Sequence, residues 1–177
     1  MAALNHPENS PTNSANPLSA EIDLPISFIS SSPEETINIG ISLAKRLEKG
    51  SIVALKGILG AGKTCLIKGI AKSLGIEEVI TSPTYTIVSE YAGICAGKEN
   101  ITVYHIDAYR LNGNEDFSAM GGEEIVFGNG IALIEWSERI PAFIPDTAIK
   151  VDIIITEDEK RQINIYKTRE MHEHSRP

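Results

Sequence analysis

Apolar positions along the chain change period several times, and each change marks an element. Ile52-Val53-Ala54-Leu55 is an unbroken apolar run of strand length flanked by Lys56 and Gly57, the pattern of a strand buried on both faces. From Lys63 the spacing becomes helical: Leu66, Ile67, Ile70, Ala71 and Leu74 share one face, and Gly75 stands at the stop. Upstream, Ser32-Pro33-Glu34-Glu35 reads as a helix start, with a serine cap, proline at the first helical position and glutamate three residues past the cap. Ile37, Ile41, Ala44 and Leu47 then keep an apolar face, and Gly50 is the predicted end. Residues 24–29 alternate loosely behind Pro25 and predict an edge strand. Apolar runs at 84–88, 101–106 and 131–134 predict further strands. Two alternating segments, 148–156 and 162–166, are joined by the polar Glu157-Asp158-Glu159-Lys160-Arg161 and predict a C-terminal β-hairpin. The fold class is therefore α/β, with a mixed central sheet.

Composition narrows the class of protein. The chain has 177 residues, 42% apolar and 23% charged, which excludes collagen-like, membrane-spanning and wholly disordered readings. The formal net charge is -8, and five acids precede Lys45, the first lysine or arginine. A protein that wraps nucleic acid by itself is usually basic, so an independent nucleic-acid binder is not expected. Residues 1–22 are rich in Asn, Pro and Ser and read as a disordered arm. Residues 23–168 form the expected domain, and 169–177 a short polar tail. The arm has neither the basic start and apolar core of a secretory signal nor the arginines of a transit peptide. Cys65 and Cys95 make no disulfide framework or zinc spacing, which suits a reducing, cytoplasmic compartment.

Between the strand at 52–55 and the helix from Lys63 lies Gly57-Ile58-Leu59-Gly60-Ala61-Gly62-Lys63-Thr64, which fits the phosphate-binding pattern G-x-x-x-x-G-K-[ST] in its required strand-to-helix context. Glycines let successive N–H groups converge on phosphate oxygens, Lys63 is suited to reach the β- and γ-phosphates, and the Thr64 hydroxyl to ligate magnesium. Such a site also needs an acid at the end of a buried neighbouring strand. Asp107 follows Val103-Tyr104-His105-Ile106, and Glu135 follows Ile131-Ala132-Leu133-Ile134. Glu135 is expected near the metal, with Asp107 in the outer metal sphere or acting as base, although the two roles are exchangeable. No N-K-x-D guanine-reading motif occurs and Asp107-Ala108-Tyr109-Arg110 is not D-x-x-G, so adenine nucleotide is expected. The six arginines are scattered singly, which disfavours the lid of a small-molecule kinase.

Four stretches, G-x-L-G-A-G-K-T, Ser82-Pro83-Thr84-Tyr85-Thr86-Ile87-Val88-Ser89-Glu90-Tyr91, Tyr104-His105-Ile106-Asp107-Ala108-Tyr109-Arg110 and Ile134-Glu135-Trp136-Ser137-Glu138, closely resemble the bacterial TsaE (YjeE) family in order and spacing. The resemblance implies a P-loop NTPase-like three-layer sandwich and an ATPase needed for threonylcarbamoylation of adenosine 37 in tRNA. ATP and Mg²⁺ are the implied cofactors, and TsaD and TsaB the implied partners, with tRNA reached through them. It implies that Leu59, Gly60, Ala61, Gly62, Lys63, Thr64 and Cys65 contact nucleotide, with Arg161 approaching it from the hairpin. Thr64, Glu135 and Asp107 are the implied metal set. Asp107, Glu135, Lys63 and Thr84 are the implied catalytic set, with Thr84 on a switch-like segment. Trp136 is read either as core or as a reporter of nucleotide, and His105 as packed beside its strand. Ile58 departs from the aspartate common in the family, which leaves backbone phosphate contacts intact. Two other readings stand beside the ATPase: a non-hydrolysing ATP-gated adaptor and a small-molecule kinase.

Overall fold

The computed structural model describes residues 24–95 and 99–167; the predicted arm and tail lie outside them. Seven strands form one sheet: β1 (Ile26–Ser30), β2 (Ile52–Lys56), β3 (Val88–Cys95), β4 (Glu99–Asp107), β5 (Ile131–Glu135), β6 (Ile149–Ile155) and β7 (Arg161–Tyr166). Their order is β1-β7-β6-β2-β5-β4-β3. The inner strands β6, β2, β5 and β4 run parallel, while β7, β1 and β3 pair antiparallel to their neighbours. The sheet is mixed, β1 is an edge strand and β6–β7 is the C-terminal hairpin, all as the apolar pattern predicts.

One face of the sheet is covered by α1 (Pro33–Ala44) and α2 (Lys63–Ser73), which close a core around Leu43, Val53, Leu66, Ile70, Leu133 and Val151. Fully burying a residue such as Leu66 contributes about 1.5–3 kcal/mol. The other face is covered by two short helices, α3 (Asn114–Ser118) and α4 (Gly122–Val126), and by single 3-10 turns. Here Ile106, Ile134 and Ile140 pack with Phe117 and Phe143, whose rings meet edge-on at 4.8 Å. These short elements lie where the sequence pattern predicts none. Among the described residues, no helix is long and apolar enough to cross a membrane.

Two sequence expectations are corrected. The first helix stops at Ala44 instead of continuing to Gly50, because Arg46 N and Leu47 N bond back three residues, to Leu43 O and Ala44 O. Ala44 and Leu47 are buried as expected, but the rest of the buried face is Thr36, Ile39, Gly40 and Leu43, with Ile37 and Ile41 only half-buried. The phase is turned because α1 crosses α2 at Gly40, so the small residue sits at the contact and the isoleucines flank it. The second correction concerns residues 84–88. A turn occupies 84–87, closed by Ile87 N donating to Pro83 O at 2.7 Å, and the strand begins only at Val88. Ile87 lies at φ 66°, which ends an extended run.

Candidate functional site

In parallel α/β sheets, ligands bind beyond the carboxyl ends of the strands. Leu55 pairs with Glu135, and Glu135 with Asp107, so the ends of β2, β5 and β4 lie side by side at one rim. The chain leaving β2 curls through Gly60 (φ 78°) and Gly62 (φ 111°), left-handed conformations that glycine adopts without strain. Gly62 caps α2 without a side chain, so the first N–H groups of that helix meet no capping group. Local sequence thus builds a backbone cradle directly over the strand-end acids.

Lys63 is buried, and its ammonium donates to Gly57 O at 2.7 Å and Ile58 O at 3.1 Å while lying 3.9 Å from the Trp136 ring centroid. Burial pushes the lysine pKa down, opposed by the charges of Glu135, Glu138 and Asp107. The Thr64 hydroxyl donates to Glu135 Oε1 at 2.7 Å. Asp107 Oδ2 accepts from Ser82 Oγ at 2.5 Å and from Thr84 Oγ1 at 3.4 Å, and Oδ1 accepts from Tyr109 N at 3.0 Å. The two acids are therefore distinguished by their partners: Glu135 faces the threonine of the loop, and Asp107 holds the turn that carries Thr84.

These groups line a cavity of about 370 Å³ together with Leu59, Gly60, Gly62, Cys65, Tyr109 and Trp136. Two residues of the expected set are not on its wall. Ala61 is fully buried beneath the loop, its N–H donating to Ile58 O. Arg161 lines an adjoining cavity of about 290 Å³ that shares Gly60, Gly62 and Cys65 with the first. It reaches this rim because β7 pairs with β1 in the register that sets Arg161 opposite Ser30. Its guanidinium donates to Glu159 O, and Lys160 pairs with Asp158 at 2.6 Å. Cys65 Sγ donates to Pro33 O, and burial pushes its thiol pKa up, partly offset by Lys68 and Arg161. Arg110 stacks over Tyr85 at 4.4 Å, off the cavity wall.

Ser82 joins the site although sequence reasoning passed over it. The signal available was its place in Ser82-Pro83-Thr84, where two hydroxyls flank a turn-forming proline. His105, read as merely packed, touches Glu135 Oε1 through Nε2 at 2.9 Å.

The donors suit magnesium. Thr64 and Glu135 offer hard oxygens within reach of each other, and no group of three or more His, Cys, Asp or Glu suited to hold a metal by itself occurs among the described residues. Mg²⁺ is commonly held in this way, by one or two protein oxygens with phosphates and waters completing its octahedron.

Residues 30–163 match the family model described as threonylcarbamoyl adenosine biosynthesis protein TsaE. A relative from Treponema pallidum, named tRNA threonylcarbamoyladenosine biosynthesis protein TsaE, is 41% identical over 77% of this chain and 97% of its own length. Relatives of the same name from Nostoc and Bacillus subtilis are 42% and 36% identical, over 75% and 74% of this chain and 80% and 78% of their own. The crystal structure of Bacillus subtilis YdiB superimposes with a TM-score of 0.68 at 30% identity, covering 81% of this chain and 86% of that one. With the family model spanning most of the domain, and relatives this similar matched along most of their own length, the chain belongs to the TsaE family.

Proposed function

We propose that this chain is a Mg²⁺-dependent ATPase required for N6-threonylcarbamoylation of adenosine 37 in tRNA, acting in the cytoplasm on the TsaD–TsaB complex through ATP binding and hydrolysis. The observation that carries the ATPase reading is the Thr64–Glu135 hydrogen bond at the mouth of the glycine-lined loop, with Asp107 on the adjacent strand end. The pathway is supported by the relatives, which are named for tRNA threonylcarbamoyladenosine biosynthesis. Contact with tRNA then runs through the partner complex, in keeping with a net charge of -8.

Loop N–H groups and Lys63 would bind the triphosphate, while Thr64 and Glu135 would hold the metal through hydroxyl and carboxylate oxygens. Bound Mg²⁺ would supply charge neutralisation across the β- and γ-phosphate oxygens. Asp107 would orient the water that attacks the γ-phosphorus, releasing ADP and phosphate. The same carboxylate holds the Ser82 and Thr84 hydroxyls, so events at the γ-phosphate are coupled to the 82–87 turn, the segment suited to signal nucleotide state to a partner. Among the described residues, no arginine lines the cavity of about 370 Å³. A partner that supplies one could raise turnover by about 10³- to 10⁵-fold. Phosphate release should accordingly be slow for the chain alone and faster with TsaD and TsaB; equal rates would remove partner activation. Deleting the gene should remove threonylcarbamoyladenosine from cellular tRNA, and its persistence would overturn the pathway assignment.

Trp136 provides a direct binding readout. It is the only tryptophan in the chain, and the Lys63 ammonium lies against its ring. Phosphates that draw Lys63 toward themselves should change indole emission, saturably with ADP or ATP. A Lys63→Met variant should lose most of the change; an equal response without the ammonium would assign it to another contact.

A further inference from the structure

His105 stands on β4 two residues before Asp107, so both side chains share the sheet face covered by α1 and α2. Its ring is fully buried. Nε2 lies 2.9 Å from Glu135 Oε1, the same oxygen that accepts the Thr64 hydroxyl at 2.7 Å. Nδ1 has no hydrogen-bond partner among the described residues. A buried polar atom without a partner is costly. Val103, two residues back on the same face, and Leu133, opposite His105 on β5, are both buried and apolar. A leucine would fill such a place without leaving Nδ1 unpaired, so packing alone does not account for an imidazole here. What the imidazole adds is one donor directed at Glu135.

A carboxylate oxygen held by two donors resists rotation about the side-chain torsions, and it has little capacity left for a third partner. Glu135 lines the cavity, and its second oxygen, Oε2, is the one not engaged by either donor. We propose that His105 is a positioning residue: with Thr64 it pins Oε1 of Glu135 and reserves Oε2 for the divalent cation of a magnesium nucleotide. The proposal rests on the magnesium-nucleotide reading of the cavity. Groups that orient metal ligands through a second hydrogen bond commonly set metal affinity in this way.

The test is ADP binding by calorimetry across a Mg²⁺ titration, for the full chain and its His105→Leu, His105→Asn and His105→Gln variants. The parent protein is measured first. If Mg²⁺ does not tighten its ADP binding, the magnesium-nucleotide reading fails, and the role of His105 with it. If Mg²⁺ does tighten binding, His105→Leu and His105→Asn should raise the Mg²⁺ needed for half-maximal effect by about 10- to 100-fold, with metal-free ADP affinity unchanged. The glutamine amide nitrogen reaches the place of Nε2 and the asparagine one only that of Nδ1, so His105→Gln should keep a Mg²⁺ requirement near that of the parent. A purely structural role would leave the Mg²⁺ requirement equal in all folded variants, and that result overturns the proposal. Should His105→Leu fail to fold, the glutamine–asparagine pair decides: equal behaviour overturns the proposal, and a gap favouring glutamine supports it.

Discussion

Glu135→Gln is expected to lower ATP turnover by at least about 10²-fold while the protein melts close to the parent temperature. The amide retains an oxygen that can accept from Thr64 Oγ1 and His105 Nε2, so both donors stay satisfied. What disappears is the negative charge at the end of β5, which a bound Mg²⁺ would require and which also opposes the lowering of the Lys63 pKa by burial. Glu135→Ala removes the acceptor as well. His105, fully buried, is then left with no partner on either nitrogen among the described residues, a loss of about 1–3 kcal/mol for the orphaned donor. The alanine variant should therefore show both defects and the glutamine variant only the catalytic one. Phosphate release, Mg²⁺ titration and thermal melting separate the two. Parent-like turnover by Glu135→Gln at saturating Mg²⁺ would show that this carboxylate is not a metal ligand. The same variants discriminate the ATP-gated adaptor: cells carrying a Glu135 variant that binds ATP and partner but does not hydrolyse should keep tRNA modification if the protein is an adaptor, and lose it if hydrolysis is needed.

The parts of the site that lie close together in the chain were legible from sequence. The loop from Gly57 to Thr64 needs only local glycines between a strand and a helix, and both strand-end acids are announced by the apolar runs that precede them. That these acids meet the loop follows from strand order and register, which the apolar pattern does not carry. Leu55↔Glu135 and Asp107↔Glu135 are tertiary facts. Ser82 escaped notice because its partner Asp107 is 25 residues away and the intervening turn was read as a strand. The error has a physical source: Tyr85, Thr86, Ile87 and Val88 favour extended backbone, yet the Pro83 carbonyl captures Ile87 N and the Asp107 carboxylate holds both flanking hydroxyls. His105 illustrates the opposite case, since strand alternation already set it on the face of Asp107, and only its diagonal reach to Glu135 was hidden. The short helices α3 and α4 were missed because five residues are too few to show a period.

Gly69→Ala is expected to be the most damaging single substitution outside the cavity. Gly69 on α2 faces Gly40 on α1, and a Cβ placed on Gly69 would lie 2.8 Å from the Ile37 carbonyl carbon and closer still to its oxygen. Those atoms are backbone of the neighbouring helix and cannot swing aside, so the helices must separate. Alanine is favoured over glycine within a helix by about 0.8–1 kcal/mol, but overpacking typically costs 1–3 kcal/mol and occasionally more. With rigid backbone on the receiving side, the upper part of that range applies. A net loss of about 2 kcal/mol corresponds to a fall in melting temperature of roughly 4–8 °C for a chain of this size. The effect extends to the site because α2 begins at Lys63 and Thr64, only about 9 Å along the helix from Gly69 at 1.5 Å per residue. Moving α2 away from α1 shifts Thr64 relative to Glu135, which is fixed on the sheet. Mg²⁺-dependent turnover should therefore fall below the parent value even at temperatures where the variant remains folded. A rise in melting temperature, the outcome that helix propensity alone favours, would show that the crossing of α1 and α2 yields to the added methyl.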